Sequence, residues 1–314
     1  MDVVTSLTQR LEDALDRGSF EEVGACEPKG EGDRLCALLT IYDLWMEPID
    51  RVADRVRFQN HPAIAEVKNR LEQPFIESLD ELSAWAPATP TDLCADLRRI
   101  ARGTDDSIYE WVATSADWDQ LIDFLTIEGG PDALFDDLVA LCQVGIRGLP
   151  KVTLGANYWD EMGQGDPAKV HTVLHEHLVD AVDLRAIPRE ELPVPALRRN
   201  ALNGLLATNR WLQPEMVGAL GLLELQAGPR CRQVVRGLRR LGAPSGAFPF
   251  YEEHAHVDPL HGKAWLDDAV RPLVEAHPGW AARIKRGALW RAAVNDRFFV
   301  HVHRSLGERS LDVA

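Results

Sequence analysis

Apolar residues recur at three- and four-residue intervals along most of the chain, which is the spacing of one face of an α-helix. The breaks between these segments fall at proline and glycine, which commonly end helices. The chain lacks convincing segments with the strict alternation of apolar and polar residues that a half-buried strand requires. The pattern therefore predicts an all-α fold. The clearest helical segments are SLTQRLEDALDRG, DRLCALLTIYDLWMEPIDRVADRV, HPAIAEVKNRLEQPFIESLDELSAW, DWDQLIDFL and PDALFDDLVALCQVGI.

Two turn-rich stretches indicate how the chain is organised. They are APATPTD at 86–92 and ARGTDD at 101–106, and their Pro, Gly, Thr and Asp residues are typical of loops. We therefore expect an N-terminal helical segment at 1–105, a core domain at 106–305 and a short C-terminal tail at 306–314. One continuous helical domain is the alternative.

Composition and charge limit the partners of the protein. The 314 residues are 46% hydrophobic, so the chain can bury a sizeable core. The formal net charge of −15 argues against nucleic acid or an anionic membrane as the main partner, because both attract clustered Lys and Arg. The five cysteines form no CxxC pair. No stretch approaches the roughly 18 apolar residues of a membrane helix, and the N-terminus is typical of an acidic amphipathic helix rather than a leader. We expect a cytoplasmic protein with reduced thiols.

The stretch EEHAHVDPLHGKAW, at 252–265, concentrates histidines and carboxylates. His254, Asp258 and His261 have the spacing i, i+4 and i+7, which places them on one helix face within an arc of about 60°. His256 points away from that face. Two imidazoles and a carboxylate suit a first-row transition metal, although an exposed polar helix face would have the same composition.

A second polar cluster lies in NYWDEMGQGDPAKVHTVLHEHL, at 157–178. On one straight helix Glu161 and His171 would lie about 15 Å apart along the axis. The glycines at 163 and 165 and an Asp-Pro pair interrupt the helix, so the chain can turn and bring Glu161 close to His171. A solvated surface glutamate is the alternative, and His175 competes with His171 for the role.

Glu224 is the third candidate, in the apolar stretch PEMVGALGLLELQAGP at 214–229. An ionised carboxylate buried without a partner costs several kcal/mol, so such a residue is usually ion-paired or bound to a metal. An ion pair with Arg198, Arg199 or Arg236 is the alternative.

The three clusters together supply three carboxylates and three imidazoles. Two divalent ions carry four positive charges, so three carboxylates would leave such a site only mildly positive. Helical bundles build dinuclear carboxylate sites from facing helices in this way. The mixed ligands favour iron, with manganese second, and zinc hydrolysis remains open on ligand chemistry alone. The predicted metal ligands are Glu161, His171, Glu224, His254, Asp258 and His261.

These motifs resemble the haem-oxygenase-like diiron oxidases and oxygenases, also described as iron-containing redox enzymes. The resemblance covers roughly 106–305 and consists of Glu161-x-Gly163-x-Gly165-x5-His171, the lone Glu224, and His254-x3-Asp258-x2-His261, in that order. It implies a seven-helix haem-oxygenase-like bundle without haem, preceded here by an N-terminal helical extension. It also implies a further carboxylate ligand in some members, for which Glu128 is the candidate.

The resemblance implies a non-haem oxidoreductase with two Fe(II) per chain. It would activate O₂ to oxidise a small organic substrate derived from an amino acid or fatty acid, in specialised metabolism. The resemblance is compatible with an external reductant and with a homodimer. Substrate and reaction subtype are left open among N-hydroxylation, C–C cleavage, desaturation and decarboxylation. The alternatives are a metal-free helical enzyme or binding protein on the same scaffold, and an interaction protein with a surface-exposed histidine-rich helix.

Overall fold

The computed structural model describes residues 5–21, 23–86, 92–129 and 135–309. Within these ranges the regular structure is helical and no strand is present, which confirms the predicted all-α fold. The helices are α1 (Leu7–Arg17), α2 (Glu31–Met46), α3 (Ile49–Val52), α4 (Pro62–Leu82), α5 (Leu93–Arg102), α6 (Ser107–Thr114), α7 (Trp118–Glu128), α8 (Phe135–Cys142), α9 (Leu149–Glu161), α10 (His171–Val182), α11 (Val194–Thr208), α12 (Gln213–Arg240), α13 (Pro249–Ala264), α14 (Arg271–Ala276) and α15 (Trp280–Arg309).

The helix boundaries follow local sequence signals. The predicted segment at 33–56 divides because Pro48 disfavours helical geometry in the residue before it, so α2 ends at Met46 and the short α3 and a 3-10 turn follow. Asp117 begins α7 with a capping box, since its side chain and that of Gln120 each accept a hydrogen bond from the other's backbone N–H. The first residues of the predicted segment PDALFDDLVALCQVGI lie outside the described residues, as does most of the loop predicted at 86–92.

Helix α12 lies at the centre of the fold, packed against α13 and α15. Its apolar residues are buried on several sides, as expected for an interior helix. The backbones of α12 and α15 approach closely, since a Cβ atom added to Gly287 would lie 1.8 Å from the carbonyl oxygen of Glu215. A glycine at position 287 is therefore required for this packing.

The N-terminal helices share one hydrophobic core cluster with helices of the second half of the chain. Asp80 on α4 accepts hydrogen bonds from the Arg286 guanidinium at 2.6 and 2.8 Å and from the Trp290 indole at 2.8 Å, both on α15. The division at residue 105 stays a prediction, and the end of the predicted tail, at 310–314, lies outside the described residues.

None of the helices in the described ranges combines the length and the apolar character that a bilayer span requires.

Candidate metal centre

Four helices bring the six predicted ligands together in the interior. Glu161 ends α9, His171 begins α10, Glu224 lies in the middle of α12, and α13 carries the other three. Glu161, His171, Glu224, Asp258 and His261 are buried, and His254 is half-buried. The predicted face of α13 is observed, since Asp258 and His261 point inward whereas His256 is exposed.

The turn between α9 and α10 brings Glu161 close to His171. Gly163, Gln164 and Gly165 all have positive φ angles, of 59°, 55° and 89°. A Cβ atom at position 163 would lie 2.6 Å from the backbone of Lys169, so the chain doubles back at a point where only glycine fits. As a result Glu161 Oε2 and His171 Nδ1 are 2.6 Å apart, as the sequence predicted.

The ligand atoms form two groups that share one residue. Glu161, His171 and His254 form the first group, and Glu161, Glu224 and His261 form the second, with the donor atoms of each group within 4.8 Å of one another. The rings of His171 and His254 are 4.5 Å apart, centroid to centroid. This arrangement offers two adjacent candidate metal positions with Glu161 common to both.

Helices α12 and α13 approach closely at the second group. A Cβ atom at Gly262 would lie 2.9 Å from the carbonyl oxygen of Glu224, so the small residue lets the next side chain, His261, reach the site. His261 Nδ1 lies 3.6 Å from Glu224 Oε2 and 3.8 Å from Asp258 Oδ1. His261 Nδ1 and Glu224 Oε2 are both buried and make no hydrogen bond within the described structure. Such atoms are unusual in protein interiors, and a cation bound between them would satisfy both.

The carboxylates change the protonation of the two most buried histidines. Burial opposes protonation of His261, but the charge of Glu224 and then Asp160 and Asp258 outweigh it and raise the pKa of His261 to about 10. Burial likewise opposes protonation of His171, and Glu161 outweighs it, so the pKa of His171 is also raised. Without a metal the carboxylates therefore favour the protonated imidazoles, and a cation that binds there competes with those protons.

Two residues that the sequence analysis did not identify hold these ligands in place. The Asn157 side chain donates a hydrogen bond to Glu224 Oε1 at 2.7 Å, and Asp160 Oδ2 lies 2.8 Å from His261 Nε2. Both residues belong to α9, on the helix turn that leads to Glu161. Asn157 lies three residues before Asp160 and four before Glu161, which places it on the same side of α9 as each of them. Polar residues at this spacing are equally common on solvated helix faces, so the sequence did not single them out.

Glu128 lies in the same region but outside the two donor groups. Its carboxylate accepts hydrogen bonds from the Tyr109 hydroxyl at 3.0 Å and from the Tyr251 hydroxyl at 3.3 Å, and Arg199 donates to its backbone carbonyl oxygen at 2.7 Å. The structure thus places Glu128 beside the candidate centre, and its role as a further ligand stays a prediction.

A cavity of about 70 Å³ connects these residues. It is lined by Glu128, Glu161, Glu224, His254 and Asp258 together with apolar and aromatic side chains. Carboxylate and imidazole donors, two adjacent donor groups and buried atoms without hydrogen bonds fit a pair of divalent ions of the iron and manganese type.

The sequence left two alternatives open at this site, an ion pair between Glu224 and an arginine, and His175 in place of His171. Glu224 contacts Asn157 and His261. Of the suggested arginines, Arg198 pairs with Glu31 and Arg236 bonds Gln233. His175 packs edge-on against Phe250 and belongs to neither donor group.

The fold and the donor set fit a helical iron-binding protein, and the comparison with known families agrees. The family described as iron-containing redox enzymes matches residues 124–296, more than half of the chain, and the chain belongs to this family. The predicted haem-oxygenase-like fold is thereby confirmed.

Among curated proteins the chain is similar to nitrosourea synthase from Streptomyces achromogenes subsp. streptozoticus. The two sequences are 27% identical over 220 residues, which cover 68% of this chain and 46% of the relative. The chain therefore spans about half the length of this curated relative.

Proposed function

We propose that the protein is a non-haem diiron oxidase or oxygenase that uses O₂ to oxidise a small organic substrate. The observation that carries this proposal is the pair of donor groups that share Glu161. Glu161, His171 and His254 would hold one Fe(II), and Glu161, Glu224 and His261 the other, with Asp258 beside the second. Bound in such a site, two Fe(II) ions would supply electrons for the reduction of O₂; manganese is the second candidate.

The residues of the chain bind and orient the ions and shield the substrate. Asn157 and Asp160 fix the orientation of Glu224 and His261, so that Glu224 Oε2 and His261 Nδ1 are left facing each other. Aromatic side chains such as Phe250 and Tyr251 line the cavity and limit the access of water. The hydroxyls of Tyr109 and Tyr251 hold the Glu128 carboxylate at the edge of the site.

The similarity to nitrosourea synthase, a protein named for a small nitrogen-containing product, supports a small organic substrate. We propose that this substrate derives from an amino acid and that the protein acts in specialised metabolism. A fatty-acid substrate is the other candidate, and N-hydroxylation, C–C cleavage, desaturation and decarboxylation are the reactions to be compared. An external reductant is compatible with this chemistry, and so is a homodimer.

The test is iron content after reconstitution with Fe(II) without air, followed by O₂ consumption with candidate amino and fatty acids. We expect close to two irons per chain in the wild type and a clear loss in Glu224→Ala. His256→Ala is the matched control, because His256 is exposed on the opposite side of α13, and it should retain both irons.

One tightly bound zinc per chain without iron uptake would contradict the proposal, as would unchanged iron content in Glu224→Ala. A wild type that takes up no metal while keeping its fold would support the alternative of a metal-free protein on the same scaffold.

A further inference from the structure

Arg230 lies on α12 and lines the same cavity as Glu224. The two residues are six positions apart, so their Cα atoms are separated by about 9 Å along the helix axis. Arg230 is buried, and a guanidinium that is out of bulk water binds a carboxylate more strongly than an exposed one does. Helix α12 thus carries a metal-binding carboxylate and a cation at a fixed separation along one cavity.

The Arg230 guanidinium is held in place on one edge. Its Nε atom donates to Asp106 Oδ1 at 2.8 Å, and its Nη2 atom lies 2.7 Å from the same oxygen and 3.3 Å from Thr104 Oγ1. The Tyr109 ring supports it from the side, with its centroid 5.3 Å away. The Nη1 amino group makes no hydrogen bond to any described residue, so two N–H donors remain for a ligand.

The cavity between the two ends of this stretch is apolar. Leu223, Ala227 and Cys231 line it from α12 and Phe250 lines it from α13. Arg199, whose side chain is also buried, lines the same cavity and adds a second positive charge to it. A volume of about 70 Å³ has room for a few small groups only.

Arg230 also lies at the base of a cleft of about 350 Å³ that opens to solvent. The other residues that line this cleft are Asp106, Ser107, Tyr109, Glu110, Pro229 and Gln233. Arg230 and Tyr109 therefore form the partition between this cleft and the interior cavity. A molecule that enters from the cleft would meet the guanidinium first and the metal-binding residues last.

We propose that Arg230 binds a carboxylate group of the substrate and so selects a compact organic acid. The acid group would lie at the cleft end, and the group to be oxidised would lie at the end of the cavity formed by Glu161 and Glu224. This inference rests on the proposed function, because it places the substrate relative to the iron-binding residues. It makes Arg230 a specificity-determining residue.

The test compares carboxylates with uncharged molecules of the same shape. The full-length chain, loaded with Fe(II) without air, is titrated calorimetrically with butanoate, pentanoate and hexanoate and with their primary amides. We expect the wild type to bind the best carboxylate roughly tenfold or more tightly than its amide, since a charge-assisted hydrogen bond contributes that much. Arg230→Gln should bind both alike, and Arg230→Lys should retain part of the preference because it keeps the charge.

Arg236→Gln is the matched control. Arg236 is an exposed arginine on the same helix that bonds Gln233, and its substitution should leave the preference unchanged. The proposal is overturned if the wild type shows no preference or no binding. It is also overturned if Arg230→Gln keeps the wild-type preference with normal iron content, which would mean that the metal itself binds the acid.

Iron content is measured on each sample, so the two proposals fail in different ways. Absence of iron uptake by the wild type would contradict the diiron function, while the comparison of carboxylate and amide on that same sample would still decide whether Arg230 forms an acid-binding site.

Discussion

The contact between Asp160 and His261 leads to a specific prediction about iron affinity. Because His261 Nε2 lies 2.8 Å from Asp160 Oδ2, the ring is oriented with Nδ1 towards Glu224 and the metal position. Removing Asp160 frees the ring to rotate and makes the imidazole a weaker ligand. Partners of this kind typically change metal affinity by about 10- to 100-fold, or about 1.4–2.8 kcal/mol.

We expect Asp160→Ala to weaken Fe(II) binding at the low end of that range, about tenfold. The reason is that 28% of the Asp160 side chain is accessible to water, which can replace part of the hydrogen bond. Asp160→Asn should have an intermediate effect, since an amide oxygen can still accept from Nε2–H. The assay is an anaerobic competition titration of Fe(II) against a chromogenic chelator.

Gln164→Ala is the control for this experiment. Gln164 donates to the other Asp160 oxygen at 2.9 Å and is exposed, so its removal should leave iron affinity unchanged. The reasoning is refuted if Asp160→Ala binds Fe(II) as tightly as the wild type while His261→Ala loses iron, because His261 would then be a ligand that needs no orienting partner.

Three further predictions concern the fold and the thiols. Glu215→Gln should lower the free energy of unfolding by about 3 kcal/mol, because the fully buried Glu215 carboxylate lies 2.7 Å from the Arg283 guanidinium. Denaturant titrations measure this change, and an unchanged unfolding midpoint would contradict the prediction. Gly287→Ala should lower the thermal midpoint, whereas Gly307→Ala, where a Cβ atom meets nothing within 4 Å, should raise stability by about 0.5–1 kcal/mol. Burial raises the pKa of Cys142 to about 12. This thiol should therefore resist alkylation at pH 8 in the folded protein, whereas the partly exposed Cys26 should react. Mass spectrometry of the modified peptides shows which of the two thiols is alkylated.

The sequence by itself determined the helical class and the residue types of the candidate centre. The apolar spacing of three and four residues reflects helix geometry, which is local, so it is legible without the tertiary structure. The same holds for the face of α13 that carries His254, Asp258 and His261, and for the glycine turn after Glu161. These features depend on contacts between residues that are close in the chain.

The sequence did not indicate which partners surround these residues, because those contacts join distant parts of the chain. Asn157 is 67 residues from Glu224 and Asp160 is 101 residues from His261, and their polar side chains on α9 have the composition of any solvated helix face. Only the tertiary structure placed Arg230 at the end of the cavity, among the chain's many arginines. Helix periodicity is fixed by local backbone geometry, whereas the site depends on how α9, α12 and α13 pack against one another.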